Sequence, residues 1–128
     1  MEIAIDFDGT CVTHEYPAVG KDIGSVPVLK ELIDSGHNLI LYTMRSGKQL
    51  EDAENWFKIF DIPLYSVQYN PKQKSWTSSN KCLADLYIDD AALGCPLLYN
   101  PFFSLKPFVN WFEVKKMLIE KELINLNN

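Results

Sequence analysis

The residues best suited to chemistry are two acidic pairs far apart in the chain, Asp6-Phe7-Asp8 followed at once by Gly9-Thr10, and Asp89-Asp90. Each pair follows a short apolar run, Ile3-Ala4-Ile5 in the first case and Leu86-Tyr87-Ile88 in the second. If both runs are parallel strands, the four carboxylates arrive at one rim, where unscreened like charges cost several kcal/mol (an order of magnitude) unless a proton or cation intervenes. A hard divalent ion with oxygen ligands relieves that repulsion, and Mg²⁺ suits one or two carboxylates together with water and a phosphate oxygen. Thr43 and Asn70, at the ends of two further apolar runs, would join the same rim. The pattern suggests a magnesium-dependent phosphate site.

The elements that must position these residues follow from periodicity. Residues 1–7, 38–43, 64–69 and 86–88 read as short strands, the apolar Leu39-Ile40-Leu41-Tyr42 being typical of a strand buried on both faces. Leu97-Leu98-Tyr99 is a candidate fifth strand. Helices are expected over 26–35, with Pro27 in its first turn and Gly36 as its stop, over 47–60, where Leu50, Ala53, Trp56, Phe57 and Phe60 recur at helical spacing, and over 108–123. The Asn-rich end is expected to fray. Residues 11–25, punctuated by Pro17, Gly20 and Gly24, lack a period and read as a flap loop over the site. Alternating strands and helices predict an α/β fold: one Rossmann-like domain over 1–128, with a mainly parallel sheet, helices on both faces and no cap domain.

Composition sets the limits. The 128 residues are 47% hydrophobic and 23% charged, as in an ordinary globular domain, which excludes a disordered or collagen-like chain. Twelve basic and seventeen acidic side chains give a net charge of −5, which argues against nucleic acid as a main partner and requires any anion to be caught locally. No apolar stretch is long enough for a bilayer, so no membrane partner is expected. Cys11, Cys82 and Cys95 form no C-x-x-C pair, which suggests reduced thiols; with no secretory leader evident at the start, the expected location is cytoplasmic.

Asp6-Phe7-Asp8-Gly9-Thr10 resembles the D-x-D-G-T signature of the haloacid dehalogenase superfamily of aspartate-nucleophile phosphatases, and Thr43, Lys81 and Asp89-Asp90 follow in that family's order. The stretch from Cys11 to Gly20 is similar to a subgroup of very short members without a cap domain; there the paired aspartates are often followed by Arg, where this chain has Ala91. The resemblance implies that Asp6 is the nucleophile forming an aspartyl-phosphate and that Asp8 is the general acid and base. It implies that Thr43 binds a phosphoryl oxygen and that Lys81, with Lys72 and Lys74 as rivals, neutralises charge. It also implies that Mg²⁺ is held by Asp6, the backbone carbonyl of Asp8, and Asp89, with Asp90 as alternative or support. Read from the residues alone, Asp85 is a further candidate ligand. Gly9 would permit the tight turn behind the aspartates. Arg45 reads either as a substrate contact or as a surface ion pair, and His14 either as structural or as a substrate contact beside the flap; Lys21 stands on the same ground. Cys11 fits a small buried thiol, and Trp76 a loop anchor or a stacking surface for a base.

The expected activity is therefore Mg²⁺-dependent hydrolysis of a phosphorylated substrate, a phosphomonoester. The alternatives are a phosphatase of macromolecules, acting on phosphoprotein or a polynucleotide end, and a non-catalytic phosphate-binding protein. A response-regulator receiver would need its phosphorylated aspartate at the end of the third strand, where Tyr69-Asn70 stand.

Overall fold

The computed structural model describes residues 1–125. Strands β1 (Glu2–Ile5), β2 (Asn38–Leu41), β3 (Ser66–Val67) and β4 (Leu86–Ile88) form a parallel sheet in the order β3-β2-β1-β4. The register pairs Ile3 with Leu39 and Leu86, and Ile5 with Leu41 and Ile88, so all six share one face. Ala4, Ile40 and Tyr87 pair on the other face.

Helices α1 (Ser25–Asp34), α2 (Gly47–Ile59) and α3 (Trp111–Glu120) all feed one apolar cluster with the first face. Val28, Leu29 and Leu32 come from α1, Ala53, Trp56 and Phe57 from α2, and Trp111, Val114 and Leu118 from α3. Phe7, just beyond β1, packs edge-on against Trp56 with ring centroids 5.6 Å apart. Asp22 starts α1, its Oδ1 accepting from the backbone N–H groups of Gly24, Ser25 and Val26. Gly36, at φ +89°, ends it as expected.

Three details depart from the sequence reading. The α-helices pack on one face of the sheet, not both. The second face is covered by residues 70–84: the phenol of Tyr87 donates to the Cys82 carbonyl, and Lys72 Nζ lies 3.1 Å from Glu2 Oε1. That segment lacks a helical apolar stripe and is organised by two buried amides instead. Asn70 caps a 3-10 turn (Pro71–Gln73) and donates to the Leu83 carbonyl, while Gln73 bonds the Leu83 N–H and the Lys81 carbonyl. Second, α3 begins at Trp111 because the Asn110 side chain accepts from the Glu113 N–H. Third, Phe108–Val109 before that cap is strand β6, pairing antiparallel with β5 (Leu97–Leu98) apart from the main sheet, so Leu97-Leu98 is not its fifth strand.

Between β1 and α1 stands a short arm and no second folded unit. Val12 bridges Asp8 and Asp22, and the Thr13 N–H donates to the Lys21 carbonyl. Gly20 closes this arm where a Cβ would meet the Thr13 carbonyl oxygen at 2.3 Å. The tip, residues 15–19, is exposed. Among the described residues no helix is long and apolar enough to cross a membrane. The expected fraying at the Asn-rich end falls on residues that, from 126 onward, lie outside the described ones.

Candidate functional site

The Asp6 N–H donates to the Ile88 carbonyl at 3.0 Å, carrying the β1–β4 ladder past its last pair. Asp6 thereby faces Asp89 and Asp90, and one carboxylate oxygen from each of the three lies within 4.8 Å of the others. Thr10 ties the group together. Its hydroxyl lies 3.1 Å from both Asp6 Oδ2 and Asp90 Oδ1 and accepts from the Asp90 N–H at 3.0 Å. With a single hydrogen, Thr10 donates to one carboxylate at a time.

Crowding has an electrostatic consequence. Burial first, then the hydrogen bond with Asp90 and the charge of Asp89, push the Asp6 carboxyl up to about 8. Burial first, then Asp90, also raises Asp89. The bare cluster therefore favours protons, and an all-carboxylate donor set of this size fits a hard divalent cation, which would restore the anions. Asp89 is oriented by the Ala91 N–H at 2.8 Å. Asp85 is elsewhere, accepting from the Glu2 N–H at the opposite end of the sheet.

Asp8 does not join the acidic group with its side chain. Both its oxygens accept from Arg45, at 2.8 Å from Nε and 2.7 Å from Nη2. Arg45 is only 2% exposed, which corrects the surface part of the ion-pair reading: the pair with Asp8 forms inside the protein. The pair is bidentate and buried on the arginine side, the strong form of such an interaction.

Thr43 sits past the end of β2, and Gln68 holds it there. Gln68 Oε1 accepts from the Thr43 N–H at 2.8 Å and Nε2 donates to the Thr43 carbonyl at 2.7 Å, so a side-chain amide replaces the next rung of the β2–β3 ladder. Gln68 adopts φ +70°, unusual for a residue other than Gly, Asn or Asp. The Thr43 hydroxyl accepts from the Arg45 N–H at 3.2 Å, which leaves its own hydrogen to donate outward. Ser46, not Thr43, stands at the start of α2.

Gly9 turns at φ +76°, and a Cβ there would meet the His14 ring at 2.2 Å and Asp90 Oδ2 at 2.7 Å. His14 fills the space that the absent side chain leaves. Its Nε2 lies 2.9 Å from the Pro107 carbonyl, to which it must donate, and 3.5 Å from Asp90 Oδ2. These contacts tie the arm to residues 104–109, where Ser104 accepts from the His14 N–H and the Val109 N–H donates to the Gly9 carbonyl.

Lys81 is not brought into the group. Its ammonium lies 5.7 Å from the ring centroid of Tyr87, and it makes no ion pair among the described residues. It does stand on Asp6's side of the sheet, since Tyr87 pairs with Ala4 and side chains alternate. Cys11 is fully buried with its thiol pushed well up by burial, as befits an inert packing residue. Trp76 donates to the Lys72 carbonyl, and Lys21 lies in the arm with an exposed side chain.

Sequence reasoning did not assign Thr10, Gln68 or the inward role of Arg45. Thr10 was visible within the D-x-D-G-T run; nothing in the sequence marks Gln68, because its partner is distant in the chain.

No family model and no curated protein matches the chain. Among solved structures it is similar to a conserved protein of Bacteroides thetaiotaomicron, at 34% sequence identity and a TM-score of 0.77, over 94% of this chain and 91% of that one. Identity at that level over nearly the whole of both chains, with the same fold, shows common descent, and the chain belongs to the family of that conserved Bacteroides protein.

Proposed function

We propose that the protein is a metal-dependent phosphomonoester phosphatase of the haloacid dehalogenase type, with Asp6 as nucleophile and Mg²⁺ as the cation. The observation that carries the reading is the convergence of Asp6, from the D-x-D-G-T run, with Asp89 and Asp90 within 4.8 Å at the carboxyl ends of neighbouring parallel strands. Mg²⁺ bound by Asp6 and Asp89, with Asp90 beside them, would neutralise the crowded carboxylates and the phosphoryl oxygens. The backbone carbonyl of Asp8 completes the proposed set.

In this reading the Asp6 carboxylate attacks phosphorus as the ester P–O bond breaks, and Asp8 gives the leaving oxygen its proton. Asp8 then takes a proton from the water that attacks the aspartyl-phosphate, releasing inorganic phosphate and the Asp6 carboxylate. As the acid, Asp8 carries hydrogen on an oxygen that Arg45 now faces, so one arm of the fork opens in that state. The outward hydrogen of Thr43 suits a phosphoryl oxygen. Lys81 reaches the site by leaving the Tyr87 ring.

The test uses an aryl phosphate labelled at phosphorus, acid quenching, and mapping of hydroxylamine-sensitive label. Asp8→Asn should accumulate label on the peptide containing residue 6, because attack continues on a good leaving group while hydrolysis lacks its base. Asp6→Asn should trap none. Label on Asp6→Asn, or label mapping to Cys11 or His14, refutes the mechanism.

A further inference from the structure

Arg45 has five N–H donors and spends them all inside the protein. Two go to Asp8, as described. Of the others, Nη2 donates to the Ala18 carbonyl at 2.7 Å, and Nη1 to the carbonyls of Pro17 at 3.3 Å and Gln49 at 3.2 Å. Its Cζ also lies 5.0 Å from the ring centroid of Phe7 and 5.1 Å from that of Tyr16. One side chain thus contacts the end of β1, the first turn of α2 and the tip of the arm.

The tip has no comparable support of its own. Among the described residues, no other hydrogen bond reaches residues 15–20, whose side chains from Glu15 to Val19 are exposed. The root of the arm is paired through Thr13 and Lys21, and beyond that root Arg45 supplies every hydrogen bond. Lysine could not replace it, because a single ammonium cannot span a carboxylate and two carbonyls in a planar fork.

We infer that Arg45 is a positioning residue that latches the arm to Asp8, so that the placement of the flap and the alignment of the acid/base carboxylate are one event. The catalytic half of this inference rests on the phosphatase reading; the mechanical half does not. A substrate leaving group that lifts the tip would disturb Asp8, and one that fits beneath it would find Asp8 aimed.

The experiment compares wild type with Arg45→Lys and, in case that variant does not fold, Asp8→Asn, which leaves Arg45 in place and removes one of the two oxygens that residue 8 offers it. Backbone ¹⁵N order parameters for residues 15, 16 and 18–20 should fall from about 0.85 in wild type to below about 0.6 in Arg45→Lys, with a smaller fall in Asp8→Asn. The order parameters of α2 and β1 should hold. In parallel, kcat/KM is measured on 4-nitrophenyl phosphate, which needs little protonation, and on an alkyl phosphate, which needs much. If Arg45 aims the acid, the aryl-to-alkyl ratio should rise at least about tenfold in Arg45→Lys while the inhibition constant of inorganic phosphate stays within about twofold. A merely structural role would lower both substrates together, and a substrate-binding role would weaken phosphate. Either result overturns the positioning role, and unchanged order parameters in both variants overturn the latch. Wild type that hydrolyses neither ester rejects the phosphatase reading, and the order parameters then decide the latch alone.

Discussion

Replacing Asp6 by Asn should stabilise the metal-free protein, and by an amount that depends on pH. The folded chain holds the Asp6 proton up to about 8, whereas an unperturbed aspartate releases it near 3.8. Between those values the folded state binds more protons than the unfolded state, so raising the pH costs stability. At about 1.4 kcal/mol per pH unit, the displacement from 3.8 to about 8 sets a ceiling of about 4 kcal/mol at pH 7 and about 6 kcal/mol above pH 8. Separation of Asp89 and Asp90 and entry of water return much of this, leaving an expected gain of about 2 kcal/mol for Asp6→Asn at pH 8. Asparagine keeps an acceptor for Thr10 and adds N–H donors toward the remaining carboxylates, so no buried group is orphaned. For a chain of 128 residues, 2 kcal/mol is about 7 °C in Tm. Urea and thermal unfolding with excess chelator, from pH 4 to 8.5, measure the gap between the two proteins. It should be near zero at pH 4 and widen toward pH 8. Saturating Mg²⁺ should then close it, by stabilising wild type more than the variant. Curves that superimpose across the range, or a gap that widens toward acid, would refute the account of the cluster.

Gly9→Ala should cost about 2–3 kcal/mol in urea unfolding, from a left-handed backbone and the clashes with His14 and Asp90; adding His14→Ala should recover the His14 part and leave the backbone part and the Asp90 contact. Gln68→Glu sets a carboxylate oxygen against the carbonyls of Thr43 and Arg45, and should destabilise by about 2 kcal/mol and raise KM, since the Thr43 loop loses its donor. Lys81→Met should leave Tm unchanged within about 2 °C, because no ion pair is lost, yet reduce kcat about a hundredfold if substrate draws the ammonium off Tyr87. Phe57→Ala, fully buried in the last turn of α2, should cost about 3–5 kcal/mol without altering the metal response.

The α/β class, the parallel sheet and the rim at which the acids gather are legible in the sequence because each is carried by local patterning. Ile3 to Ile5 and Leu39 to Leu41 are apolar runs too short for helices, α1 and α2 show helical spacing, and Asp6 and Asp89 each follow the last residue of a strand. Once the strands are parallel, those ends must coincide. The tertiary structure decides what each side chain does there. Asp8 is separated from Asp6 by one residue, and strict alternation would place both on one side, but the chain leaves the strand in a turn closed on the Phe7 carbonyl, and Arg45 draws the Asp8 carboxylate toward α2 and the arm, away from the other acids. Gln68 supports Thr43 and Thr10 joins Asp6 to Asp90 across the fold. The helices share one face because residues 70–84 bury their polarity through Asn70 and Gln73 and have no apolar stripe to form a helix on the other. Periodicity records which residues are apolar and how often; it carries no record of which donor meets which acceptor, because those pairings depend on distances set only when remote segments pack.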